Sequence, residues 1–399
     1  MKQLINRKFI KDIILSIISA SIPVVLMQIV LYPFIASKIG ATSFGLLLTL
    51  IGISNIFSGI TGNTLNNVRL LLDREYSEKH LKGDFNILLF SSLLISSIFL
   101  SFAVFYYEKK INLINIIAIT VISIFTAVNS YISVEFRLKL DYFKIILSNI
   151  FLSAGYGIGF IIFTASGYWQ VIFIIGSGLC LIYNLHATSI LKEPFRKTYF
   201  FNLALKNYII LFFSIFISLV ASYIDRWLLF PILGGEQVAI FYSASVIGKI
   251  LSLVTGPIAG VLLSYIVKKK SISFQEYIKY IILLTLISII GYFLGIIISQ
   301  KIIYLIYPSW ADKSLQYVPI TVAICMLELF ASMNNVIILK FKKRKWQIII
   351  QISYFIFYFL LSIYLIKNKG LLGFCYASLF ASMIKVIMMI FIGFFDKTK

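Results

Sequence analysis

The sequence predicts an all-α integral membrane protein of about twelve transmembrane helices, and three observations carry that prediction. Of its 399 residues, 60% are hydrophobic and only 13% are charged, where a soluble domain is nearer half apolar and a quarter charged. The charges fall in clusters between apolar stretches of roughly 20 residues, the length of helix that crosses a bilayer. Those stretches do not alternate polar with apolar. Ile281-Ile282-Leu283-Leu284-Thr285-Leu286-Ile287-Ser288-Ile289-Ile290 is representative, and it excludes barrel strands in favour of helices that satisfy their own backbone.

The spans fall at 13–36, 39–64, 85–107, 111–134, 145–165, 168–191, 207–231, 238–267, 278–299, 315–339, 346–366 and 371–395. An even number puts both termini on one side. With that side cytoplasmic, 26 of the 36 Lys and Arg residues lie on inner segments and 7 on outer ones, while Arg226, Lys249 and Lys385 lie within spans. The asymmetry predicts that both termini are cytoplasmic. It also accounts for the formal charge of +21. The excess is the topological signal of loops that face anionic lipid, and it excludes nucleic acid as a partner in the absence of any nucleic-acid motif.

The basic start resembles a signal peptide, but the apolar stretch that follows is too long for one, so it is expected to stay as the first span. Cys180, Cys325 and Cys375 all fall inside spans with no Cys-x-x-Cys pair, and His80 and His186 are isolated. No metal centre or other cofactor is expected from that set. The phosphate-binding loop, the nucleophile elbow and the His-Glu-x-x-His motif are all missing, and the longest inner loop, near 65–84, is too short for an ATPase. The chain is therefore read as a non-enzyme, driven by a gradient, by its substrate's own concentration difference or by a partner.

An internal repeat organises the twelve spans. Gly40–Gly62 aligns without gaps on Gly234–Gly256 at an offset of 194 residues, with identities at Gly40/Gly234, Ile53/Ile247, Ile56/Ile250, Ser58/Ser252, Thr61/Thr255 and Gly62/Gly256. Gly45 faces Ala239. The second span thus pairs with the eighth. Six helices per half make the repeat parallel, so two six-helix lobes, 1–200 and 201–399, are expected about a pseudo-two-fold axis along the membrane normal. Lobes of this kind enclose a central cleft and suit alternating access.

Two segments carry a family resemblance. The first is Leu31-Tyr32-Pro33 through Ile39-Gly40-Ala41-Thr42-Ser43-Phe44-Gly45, with Gly62 and Arg69 downstream. The second is Tyr223-Ile224-Asp225-Arg226-Trp227-Leu228-Leu229, then Leu233-Gly234, Phe241-Tyr242-Ser243-Ala244 and Gly256-Pro257-Ile258. They resemble Wzx-type polysaccharide flippases of the multidrug/oligosaccharidyl-lipid/polysaccharide exporter superfamily, with Ser264 standing where a proline is often found. The resemblance implies a flippase for undecaprenyl-pyrophosphate-linked oligosaccharide, as in O-antigen or capsule assembly in the inner membrane. It makes a polysaccharide polymerase and a chain-length regulator candidate partners. A multidrug exporter of the same superfamily and a membrane-embedded polymerase or ligase are the alternatives.

Charges inside a bilayer are costly and are candidates for function. Asp225 and Arg226 lie near the outer end of span 207–231 and point about 100° apart. One reading has Arg226 facing the cleft and Asp225 fixing a neighbouring element; the other makes both interface anchors. Lys249 is mid-span, with Asn55 at the matching place of the first half. It is read as a cleft residue for phosphate or acidic sugar, or else as the partner of Glu328, the one carboxylate far from a span end. Glu328 is alternatively the proton-coupling group. Lys385 is expected to snorkel to the inner interface.

Overall fold

The computed structural model describes residues 18–19, 21–109, 112–246, 248, 250, 272–343 and 345–395. Every long element is a helix: α1 (Ser21–Glu78), α2 (Asp84–Glu108), α3 (Leu113–Leu138), α4 (Tyr142–Ser166), α5 (Gln170–Ala187), α6 (Phe201–Leu233), α7 (Gly235–Ala244), α8 (Phe274–Ile306), α9 (Val318–Phe341) and α10 (Lys345–Phe395). A π-helical turn, Leu26–Leu31, lies within α1.

Nine of these, all but α7, are long and apolar enough to cross a membrane. Two are far too long for one crossing. At 1.5 Å per residue, the 58 residues of α1 and the 51 of α10 greatly exceed the ~30 Å of hydrocarbon. Each is broken once, at Gly40 (φ 76°, ψ 167°) in α1 and at Gly370 (φ 57°, ψ −137°) in α10. Each therefore supplies two spans, which raises nine to eleven among the described residues. The span expected at 238–267 begins in α7 and lies mostly outside the described residues.

Local signals place the helix ends. Asn112 accepts the Asn115 amide and Asp141 accepts that of Lys144. Ser273 and Glu276 form a reciprocal capping box at the start of α8. Each satisfies first-turn donors that have no helical partner. Gly167 ends α4 in the left-handed region, its amide returning to the Phe163 carbonyl.

Outward faces are apolar. Phe102 is 68% exposed, Ile161 68% and Leu305 83%, a pattern water would oppose and lipid favours. The chain is a multi-pass membrane protein. It divides into two compact units. Unit 1 comprises Leu46–Pro231 with the described residues up to Leu31, and unit 2 comprises Tyr32–Gly45 with the described residues from Ile232 onward. Residues 201–231, assigned by the sequence to the second half, thus pack within unit 1, and residues 32–45 of the first half pack within unit 2. The unit 1 core gathers Leu65, Val68, Phe85, Tyr131 and Ile190. In unit 2 one cluster joins Leu284 of α8, Phe330 of α9 and Ile350 and Met389 of α10.

Candidate functional site

In unit 2 the span carboxylate Glu328 has a partner that the sequence did not pair with it. Glu328, ten residues into α9, lies 2.6 Å from the ammonium of Lys385 on the second limb of α10. Ser382, one turn before Lys385, donates to the other carboxylate oxygen at 3.0 Å. The Lys385 ammonium also sits 4.6 Å over the ring of Tyr354, on the first limb of α10. The bend at Gly370 lets both limbs of α10 converge on one residue of α9. Lys385 does not snorkel: it is 9% exposed and paired. A buried ammonium needs a matched anion and hydrogen-bonding neighbours, and Glu328 meets that need before any route to the interface does. Lys249, the other partner weighed for Glu328, lies outside the described residues. The Glu328 side chain is 36% exposed, so the pair is reachable from one side.

In unit 1, α6 carries Asp225 and Arg226, both half-buried. The Arg226 guanidinium stacks 5.0 Å from the Tyr223 ring, and its Nη1 donates to the Leu48 carbonyl of α1 at 3.4 Å. Its stem crosses at Gly52, where an added Cβ would come within 3.1 Å of Arg226 Cδ. Asn55, half-buried, follows Gly52 by three residues and so shares that face of α1.

Arg69 is engaged inside unit 1. It forms a fork to Glu193 at 2.8 and 2.5 Å, reaches the Tyr131 hydroxyl at 3.4 Å and lies 4.8 Å over the Phe85 ring. A bidentate pair of this geometry fixes two backbones. It joins α1 to the segment that links the two sequence halves.

Two polar arrangements escaped sequence reasoning. In unit 1, a cavity of about 230 Å³ lies among α3, α4 and α5, lined by Asn129, Ser148, Asn149, Cys180 and Asn184 among others. Its amides are cross-linked: Asn184 donates to Asn129, Asn129 to the Ser177 carbonyl, and Asn149 to Ser19. The spacing of each amide along its own helix gave no sign that they meet. In unit 2, Tyr32, Phe44, Tyr242, Tyr307 and Trp310 form an aromatic cluster with ring centroids 5.8–6.4 Å apart. Trp310 also donates to Ser243, which hydrogen-bonds Ser314 at 2.7 Å. Tyr307, between α8 and α9, is almost wholly enclosed, and burial pushes its phenol well above the ordinary tyrosine range. Tyr32, Phe44, Tyr242 and Ser243 belong to the two segments singled out in the sequence. Their periodicity did not show that they touch. Among the described residues, no cluster of His, Cys, Asp or Glu has the makings of a metal site.

No protein-family model matches the sequence, and no curated protein matches it. Solved structures do resemble it over nearly its whole length. An inward-facing conformation of a multidrug resistance MATE family transporter of the MOP superfamily superposes with a TM-score of 0.66 at 13% identity, covering 94% of this chain and 97% of that one. The lipid II flippase MurJ in an inward closed conformation gives 0.65 at 15%, covering 96% and 86%. The eukaryotic MATE transporter AtDTX14 gives 0.62 at 12%, covering 96% of each chain. At these identities the likeness establishes the fold: all-α, twelve helices in two lobes.

Proposed function

We propose that this chain is a flippase that carries undecaprenyl-pyrophosphate-linked oligosaccharide repeat units from the cytoplasmic to the outer face of the cytoplasmic membrane, by alternating access and with both termini in the cytoplasm. The observation that carries the reading is the Glu328–Lys385 pair. A cationic cargo wants an unmatched carboxylate in the membrane, and Glu328 already has an ammonium 2.6 Å away. Leaving aside Lys279 at the edge of 278–299, the spans hold three cations, Arg226, Lys249 and Lys385, against two carboxylates, Asp225 and Glu328. That balance favours a pyrophosphate-bearing cargo. Arg226, Asp225, Lys249, Asn55 and Glu328 are the residues proposed to meet it, with Arg69 holding the adjoining segment. The superposition on the lipid II flippase supports a lipid-linked cargo. The superposition on multidrug transporters supports a second reading, export of drugs on the same fold.

One pair of assays separates the two. Deletion of the gene in a strain making the cognate polysaccharide is expected to strand lipid-linked units on the inner leaflet and abolish surface polymer, while ethidium efflux stays unchanged. Intact surface polymer in a strain with no second exporter, together with lost ethidium efflux, gives the drug reading instead.

A further inference from the structure

Two features of unit 1 share one pair of helices. The first is an open cavity of about 450 Å³ where the loop before α2 meets the segment before α6, lined by His80, Lys82, Arg196, Lys197, Thr198 and Tyr199 among others. Lys82, Arg196 and Lys197 are exposed and form no salt bridge among the described residues. The nearby carboxylates are already engaged. Asp84 accepts the Tyr76 hydroxyl at 2.7 Å, the Thr198 amide at 2.7 Å and the Thr198 hydroxyl at 2.5 Å. Glu193 is held in the fork of Arg69. Asp84 is fully buried and Glu193 is neutralised by Arg69, so the three cations of the cavity outnumber the one carboxylate beside them. Its walls are also fixed: at Gly83 (φ 119°) an added Cβ would lie 2.5 Å from the Pro194 carbonyl and 2.6 Å from that of Arg196.

The second feature begins six residues further along each strand of chain. Leu88 follows Lys82 by six, and Leu205 follows Tyr199 by six. Here α1, α2 and α6 enclose an apolar cleft of about 440 Å³, with Phe57, Leu88, Ile95, Phe99, Leu205 and Phe213 in its walls. From Leu88 to Phe99 the cleft follows α2 for about 16 Å, close to half the ~30 Å hydrocarbon thickness. Its three serine hydroxyls are turned to the backbone: Ser91, Ser92 and Ser96 donate to carbonyls of their own helix at 2.9, 2.9 and 3.1 Å. Ile95, Phe99 and Phe213 are 57–60% exposed, so the cleft opens on the outer surface of the helices.

We infer that the cavity and the cleft together form a binding site for an anionic glycerophospholipid of the leaflet on the basic-loop side, its phosphate among Lys82, Arg196 and Lys197 and one acyl chain along α2 and α6. Charge complementarity selects the headgroup, and the nearness of the cleft, whose lining begins six residues further along both segments, selects a lipid over a free anion. A depth of one leaflet suits an acyl chain, whereas an undecaprenyl tail overruns it. The bound lipid bridges the loop before α2 to the segment that joins the two sequence halves. The site stands apart from the cargo proposed above and does not depend on it.

Native mass spectrometry of the full-length detergent-solubilised protein tests the inference, with palmitoyl-oleoyl phosphatidylglycerol, the same-chain phosphatidylcholine, undecaprenyl phosphate and glycerol phosphate as probes. Phosphatidylglycerol is expected to be retained over phosphatidylcholine, and the triple variant K82A/R196A/K197A to lose that retention by at least about tenfold. Ser91→Trp, which fills the cleft from an exposed position, is expected to lose it too; Phe213→Trp serves if that variant aggregates. Retention unchanged in the triple variant overturns the proposal. So does displacement of the phospholipid by equimolar glycerol phosphate, which makes the cavity an anion site without a lipid. Preferential retention of undecaprenyl phosphate overturns it as well, since the site then belongs to the cargo lipid.

Discussion

Gly45 of α1 lies against the backbone of Gly235, the first residue of α7, so closely that an added Cβ would stand 1.9 Å from the Gly235 carbonyl oxygen. Around this contact Tyr32, Phe44 and Tyr242 meet edge to face at 5.8–5.9 Å. Gly45→Ala is therefore expected to force two helix starts apart, with a loss of about 1–3 kcal/mol typical of overpacking. Fluorescence-detected size exclusion after a heat series checks this. An unshifted melting midpoint refutes the packing role.

Gly40 and Gly234 are paired by the repeat, and they share one backbone conformation: φ 76°, ψ 167° at Gly40 and φ 85°, ψ 173° at Gly234. That region is open to glycine almost alone. Neither position has an atom within 4 Å of an added Cβ, so Ala is excluded by the backbone and not by a neighbour. Gly40→Ala and Gly234→Ala are each expected to cost about 1–3 kcal/mol by strain alone. The same heat series reads it. Equal losses at the two positions support the repeat, and a tolerated Gly234→Ala counts against it.

For Glu328 and Lys385, removing one partner strands the other. Glu328→Gln is expected to lower protein stability more than the double variant E328Q/K385M, with a coupling of about 1–2 kcal/mol. This is below the 3–5 kcal/mol of a fully buried pair because Glu328 is a third exposed. A double-mutant cycle on thermal midpoints measures it. Additive single effects contradict the pairing.

The Arg69–Glu193 fork is more enclosed, with side-chain exposures of 13% and 11%. Arg69→Ala is expected to cost about 3 kcal/mol or more by leaving Glu193 uncompensated. Protease nicking of 188–200 in membrane vesicles should rise in step. Vesicles as resistant as wild type show that another contact holds this segment.

Lys249→Ala is expected to abolish surface polymer at unchanged membrane levels, which immunoblotting and polymer staining read together. Disappearance of the protein instead assigns Lys249 to folding.

Much of this protein is determined by composition and spacing alone. Apolar runs and basic loops give the spans, because a bilayer admits few backbone solutions and imposes one length on them. The glycine pattern gave the repeat, and Gly40 and Gly234 then proved alike in backbone. Tertiary structure decided the partners. Lys385 could have reached the interface; the bend at Gly370 brings it, with Ser382 and Tyr354, to Glu328 instead. The amide cluster around Asn129 and Asn184, the aromatic cluster around Tyr307 and the packing of residues 201–231 within unit 1 were equally hidden. The physical reason is common to all of them. A helix's own period says which residues share a face, but which face meets which neighbour depends on shape and pairing between segments tens to hundreds of residues apart.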